Sequence, residues 1–228
     1  MDTRPTDATQ APRQGRKVVL AGASGLIGRQ LLAGLLADAS VAAVHLVGRR
    51  ALDVTHPKLT QQQADLSKAS FTLPGVDEAF IALGTTIKVA GSQAAFRAVD
   101  FEAVLAVARA AKAAGARRLG VVSAMGADPG SRIFYNRVKG ETEKALAELG
   151  FDTLVIARPS FLDGDRAALG QPLRGGEKLA LNLSRWLAPI IPANYGSVKA
   201  ASVASALLKA VPATGGKRVM LSGELRGY

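Results

Sequence analysis

The strongest constraint on the fold is a seven-residue stretch, Gly22-Ala-Ser-Gly25-Leu-Ile-Gly28, set between a short apolar run and a helical pattern. Positions 17–21 are brief, β-branched and closed by glycine, the marks of a buried strand. Positions 26–37 carry apolar residues at helical spacing, with Leu31, Leu35 and Ala39 four apart. Glycines so spaced mean little alone but become specific where they join a strand to a helix. Gly22 permits a tight turn, Gly25 lets the backbone approach a pyrophosphate, and Gly28 allows close helix–strand packing. The helix N-terminus offers unpaired N–H groups and a partial positive charge to the phosphates. Gly22, Ser24, Gly25, Leu26, Ile27 and Gly28 are therefore candidate contacts to a dinucleotide.

Downstream, the pattern predicts strands over 42–47, 61–66, 78–83, 118–123, 153–157 and 218–221. It predicts helices over 93–114, 133–149 and 177–187, the first two closed by Gly115 and Gly150. Strands alternate with helices from 17 to 157, which implies an α/β fold: a doubly wound parallel β-sheet with helices on both faces, the Rossmann arrangement. After Asp163 the alternation weakens and Gly164, Gly170, Pro172, Gly175 and Gly176 cluster. The expected organisation is a flexible tail at 1–15 and a single domain at 16–228, with 161–215 as a small C-terminal region covering substrate.

The second strand ends in Val47-Gly48-Arg49-Arg50. Rossmann domains selective for NAD carry a carboxylate near this point to bond the ribose 2′-hydroxyl. Here no carboxylate is present, Gly48 leaves room, and two guanidinium groups follow that can bind a 2′-phosphate bidentately. NADP(H) is the expected cofactor. Asp53 is a weaker candidate for a ribose contact.

Composition removes several alternatives. The 228 residues, 48% of them hydrophobic, include no Cys and two His. This rules out disulfides, thiolate metal sites and a Cys nucleophile, and no metal site is expected. His45 lies in an apolar run and reads as a strand residue. The absence of Cys fits a cytoplasmic location. A net charge of +11 can attract nucleic acid. The basic residues are scattered, however, and aromatics make up only 5%, too few for a base-stacking platform; no nucleic-acid partner is expected. No apolar stretch reaches the ~20 residues of a membrane span. The richest, 179–191, is broken by Asn182, Ser184, Arg185 and Pro189. Positions 1–15 lack the apolar run of a secretory signal. A monomer or a homodimer fits equally.

Two residues, rather than one, separate the first two glycines, a spacing that resembles the extended and atypical short-chain dehydrogenases/reductases. Further matches are Leu83-Gly84-Thr85-Thr86, Lys88, Ala90-Gly91, Phe96, Val99-Asp100, Ser123, Gly126-Ala127, Tyr135, Lys139-Gly140-Glu141, Glu143 and Arg158-Pro159-Ser160. Together they make 17–175 similar to the atypical subgroup related to the Tat-interacting-protein oxidoreductase. The resemblance implies that Asp65 and Leu66 hold the adenine, that Leu83, Gly84, Thr85 and Thr86 pass the cofactor ribose, and that Pro159 and Ser160 lie beside the nicotinamide. It also implies a catalytic set of Ser123, Tyr135 and Lys139.

The chemistry explains that set. Tyr135 and Lys139 are four residues apart and share a helix face. A Tyr hydroxyl ordinarily titrates near ~10, and a nearby ammonium favours its phenolate. Lys139 can also bond the nicotinamide ribose. Ser123 would hold a substrate carbonyl oxygen and Tyr135 would protonate it as hydride arrives at carbon. The leading expectation is an NADPH-dependent oxidoreductase acting on a small carbonyl compound. The alternatives are an NADP(H)-binding redox sensor and a sugar-nucleotide epimerase-like enzyme; only 161–228 remain after Ser160 to build a nucleotide-sugar pocket.

Overall fold

The structure, a computed structural model, describes residues 15–66, 71–163 and 196–228. Its strands are β1 (Arg16–Ala21), β2 (Val41–Gly48), β3 (Leu59–Gln63), β4 (Glu78–Ile81), β5 (Arg118–Val122), β6 (Thr153–Arg158), β7 (Leu162–Asp163), β8 (Val198–Lys199) and β9 (Gly216–Leu221). Seven of these form one sheet in the order β3-β2-β1-β4-β5-β6-β9, parallel throughout. β7 and β8 pair separately.

The helices are α1 (Leu26–Ala37), α2 (Ile87–Ala90), α3 (Gln93–Arg97), α4 (Val104–Ala113), α5 (Phe134–Ala147), α6 (Ala200–Ala213) and α7 (Ser222–Leu225). Parallel neighbours require crossovers, and the crossovers cover both sheet faces. Successive residues of β1 show this directly. Val18 and Leu20 pack with Leu31 and Leu35 of α1 and with Val203 and Leu207 of α6. Val19 and Ala21 pack with Val104 and Val107 of α4 and Leu146 of α5. Burial on both faces is why the strands read as continuous apolar runs. Among the described residues no helix is long and apolar enough to cross a membrane.

Helix α1 spans the predicted 26–37, and the predicted strands appear with ends moved by one to three residues. Two features differ from expectation. The helix predicted over 93–114 is divided into α3, a π-helical segment at Ala98–Ala103, and α4. Residues 200–213, placed by the sequence in the substrate-covering region, instead form core helix α6, whose Val203, Leu207 and Val211 are fully buried. Gly34 gives Leu208 of α6 room against the α1 backbone. The predicted helix at 177–187, the glycine and proline cluster at 164–176 and positions 1–14 of the predicted tail lie outside the described residues.

The two ends of the sheet differ in chemistry. Arg16, Glu78 and Arg118 open the adjacent strands β1, β4 and β5, and Glu78 accepts from both guanidiniums, at 2.5 and 3.3 Å. Glu78 is fully buried, and burial pushes its carboxyl up despite these partners. The carboxyl ends of the strands open instead into a cleft, at the point between β1 and β4 where strand order reverses.

Candidate active site

The glycine loop joins β1 to α1. Gly22 has φ of +88°, and a Cβ there would lie 2.5 Å from the Ala82 carbonyl carbon; both the turn and the neighbouring strand end demand glycine. The Gly25 N–H donates to the Gly22 carbonyl at 3.1 Å and closes the turn. Helix α1 begins after Gly25 with no side-chain cap and no acidic residue in its first turn, so neither competes for its N-terminal N–H groups.

Gly22, Ser24, Gly25, Leu26 and Ile27 line a cleft of about 950 Å³. So do Arg49, Arg50, Asp65, Leu66, Leu83, Gly84, Thr85 and Thr86, and so do Ser123, Tyr135, Lys139, Pro159 and Ser160. Gly28 stands behind the wall; a Cβ on it would collide with the Gly22 carbonyl. Its part is to pack α1 against the loop. Asp53 does not reach the cleft lining.

Arg49 and Arg50 follow β2 and are exposed. Arg29, the fourth residue of α1, also lines the cleft. None of the three makes an ion pair among the described residues. Sequence reasoning missed Arg29 because it resembles any polar residue on an amphipathic helix. Its position one turn after Gly25 was the available signal.

At the other side, Ser123 follows β5, where its N–H donates to the Ala157 carbonyl at 2.8 Å. Its Oγ is buried and has no hydrogen-bond partner among the described residues. A hydroxyl in that state at a cleft wall suits a ligand that bonds it. The Tyr135 ring packs on Phe96, with centroids 5.4 Å apart, and Phe96 also meets Phe134 edge-on. One turn on, Lys139 is buried with Nζ 2.7 Å from Oδ1 of Asp100. Burial opposes its ammonium, but Asp100, with Tyr135 and Glu143, outweighs that and holds Lys139 above the ordinary lysine value.

Asp100 was visible in the sequence only as part of the Val99-Asp100 match, without a role. It sits on the π-helical segment, fully buried, and lines the cleft. Its Oδ2 accepts from the Thr85 N–H at 2.9 Å. Ser160 also lines the cleft, but its hydroxyl is occupied: it donates to the Gly196 carbonyl at 2.6 Å and accepts from Ser222 Oγ at 3.0 Å. The Ser160 N–H donates to Ser222 Oγ at 2.7 Å. These bonds fasten the end of β6 to α7.

Residues 22–214 match the model of the family described as NAD(P)H-binding. The chain belongs to this family, within the atypical short-chain dehydrogenases/reductases. Within it, the chain is similar to Protein HTATIP2 of Rattus norvegicus, 38% identical over 173 residues that cover 73% of this chain and 69% of the relative. It is also similar to "Protein FMP52, mitochondrial" of Coccidioides immitis (strain RS), 32% identical over 206 residues, covering 84% and 83%. Among solved structures, the Bordetella bronchiseptica enzyme WbmG in complex with NAD shares the fold. Its TM-score is 0.64 over 94% of this chain and 76% of its own, at 15% identity. The family is of NAD(P)-binding, oxidoreductase type, and the residues of the cleft fit such a dinucleotide: a glycine turn, an uncapped helix start, and arginines and a buried hydroxyl that have no partner among the described residues.

Proposed function

We propose that this protein is an NADPH-dependent oxidoreductase that reduces a small carbonyl compound. One observation carries the reading: the Ser123, Tyr135 and Lys139 side chains line the same cleft as three arginines that have no ion-pair partner among the described residues. Gly22 to Ile27 and the start of α1 would hold the pyrophosphate. Arg49 and Arg50, with Arg29, would hold a 2′-phosphate, and no carboxylate stands at the end of β2 to repel it. Asp65 and Leu66 would border the adenine, and Leu83 to Thr86 the nicotinamide-side ribose.

The bound nicotinamide would supply hydride. The chain supplies the rest. The Ser123 hydroxyl, without a hydrogen-bond partner among the described residues, donates to the substrate carbonyl oxygen and orients it. Tyr135 transfers its hydroxyl proton to that oxygen as negative charge develops. Lys139 places a fixed ammonium one helical turn away, where it bonds the ribose and stabilises the tyrosinate left behind.

The test is to follow NADPH absorbance in the full-length protein against a panel of aldehydes, ketones and quinones. Oxidation with at least one of them, slower with NADH, is expected. Tight NADPH binding with no oxidation across the panel would overturn the reductase reading and favour an NADP(H)-responsive binding protein.

A further inference from the structure

We propose that Gln61 is a positioning residue for cofactor choice: its side-chain amide clamps the loop after β2 and so holds Arg49 and Arg50 at the cleft, set in advance for a 2′-phosphate. The inference rests on the NADPH reading above and deepens it. Gln61 lies on β3, at one end of the sheet order, opposite Leu46 of β2. Its Oε1 accepts from the Leu52 N–H at 2.8 Å. Its Nε2 donates to the Leu52 carbonyl at 3.0 Å and to the Val54 carbonyl at 3.1 Å. A side-chain amide offers four hydrogen bonds, and Gln61 directs three of them to this one loop. The Leu52 carbonyl accepts a second bond, from the Val54 N–H at 2.9 Å, which closes a tight turn.

The arginines stand between two anchors. On one side Gly48 ends β2 in register with Gln63 and accepts from the Ala64 N–H at 2.9 Å. On the other, Leu52 is held by the Gln61 amide and rests its side chain on the core. Only Arg49, Arg50 and Ala51 lie between. Packing of Leu52 limits how far the loop can lift; the amide, which bonds both the N–H and the carbonyl of that residue, also fixes its direction. Gln61, Leu52 and both arginines line the cleft, whereas Asp53, between the two clamped residues, does not. The loop thus presents its cations to the cleft and keeps its carboxylate out. Neither arginine makes an ion pair among the described residues that could hold it in place instead. A loop ordered before the ligand arrives need not be ordered on binding, which raises affinity for the group it grips. NADH lacks the 2′-phosphate, so the clamp acts on NADPH.

The experiment measures dissociation constants of NADPH and NADH by calorimetry for the full-length wild type and Gln61→Met, each with and without the Arg49→Ala, Arg50→Ala pair. Met keeps the length of the side chain and loses all three hydrogen bonds. Gln61→Met should weaken NADPH by about tenfold, the cost of ordering roughly one more residue's backbone on binding. In the background without the arginines it should change NADPH affinity by no more than about twofold, because clamp and arginines act as one unit. NADH affinity should stay within the same margin in both backgrounds. ¹⁵N relaxation of the cofactor-free protein reads the clamp itself: amides at 49–54 should have order parameters of about 0.85 in wild type and lower values in Gln61→Met. An unchanged NADPH constant, equal losses for both cofactors, or the same loss without the arginines would overturn the proposal and leave Gln61 a purely structural residue. Wild-type order parameters below about 0.6 at Leu52 and Val54 would overturn it even where Gln61→Met does not fold. Equal affinities of the wild type for the two cofactors would instead defeat the NADPH reading, and the proposal with it.

Discussion

Asp100 and Lys139 are buried together, with side-chain exposures of 0% and 7%, so removing either leaves the other charge uncompensated. Lys139→Met is expected to cost about 3–5 kcal/mol in urea unfolding, the usual penalty for breaking a buried pair from one side. Adding Asp100→Asn should return part of that loss, a coupling that a double-mutant cycle measures. The pH dependence has a definite sign. The folded-state pKa of Lys139 is raised above 10.5, so its contribution is fully present below about 10.5 and lost as pH rises through the higher folded value. The stability gap between wild type and Lys139→Met should be flat from about pH 7 to about pH 10 and narrow only beyond. A gap that closed in the neutral range would show that the pair is not ionised as described.

At the scale of elements, the proposed reading gives the strand–loop–helix unit of β1 and α1 the cofactor's pyrophosphate and the end of β2 the choice between NADPH and NADH. Gly28→Ala pushes a methyl group into the Gly22 carbonyl. It should destabilise by about 1–3 kcal/mol, as overpacking does, and weaken cofactor binding in calorimetry by opening the loop. Arg49→Ala with Arg50→Ala should remove most of a preference for NADPH over NADH. Hydrogen bonds to charged groups contribute about 1.5–3 kcal/mol each, so the wild-type preference should be tenfold or more. Equal affinities in the wild type would exclude a 2′-phosphate site at these arginines. Most of these elements were legible because their signals are local. Strands buried on both faces read as apolar runs, and α1 keeps its period from the first residue to the last. The π-helical segment was not legible, since one wider turn leaves the alanine-rich pattern of 93–114 intact. Helix α6 was missed although Val203, Leu207 and Val211 recur every four residues; its many alanines and Pro212 weakened the signal beside a glycine- and proline-rich stretch. Asp100 went unassigned for a related reason: its partners Thr85 and Lys139 come from distant parts of the chain, and only packing brings them together.

Across the whole molecule, charge is divided between the two ends of one sheet. The amino end is closed by Arg16, Glu78 and Arg118, paired among themselves. The carboxyl end leaves Arg29, Arg49 and Arg50 without ion-pair partners among the described residues. In a chain of net charge +11, that concentration should make NADPH affinity fall more steeply with salt than NADH affinity, because the extra phosphate is what screening uncouples. Matching salt dependences in calorimetric titrations would argue against it. The central claim, that the cleft transfers a proton from Tyr135 as it reduces a carbonyl, is tested most directly by one comparison. Single-turnover consumption of bound NADPH by the best carbonyl substrate is measured in wild type and in Tyr135→Phe. The ring that packs on Phe96 is retained, so fold and NADPH affinity should be unchanged while the rate falls by roughly 10²–10⁴-fold, the span of general acid–base catalysis. A wild-type rate in Tyr135→Phe would contradict the mechanism.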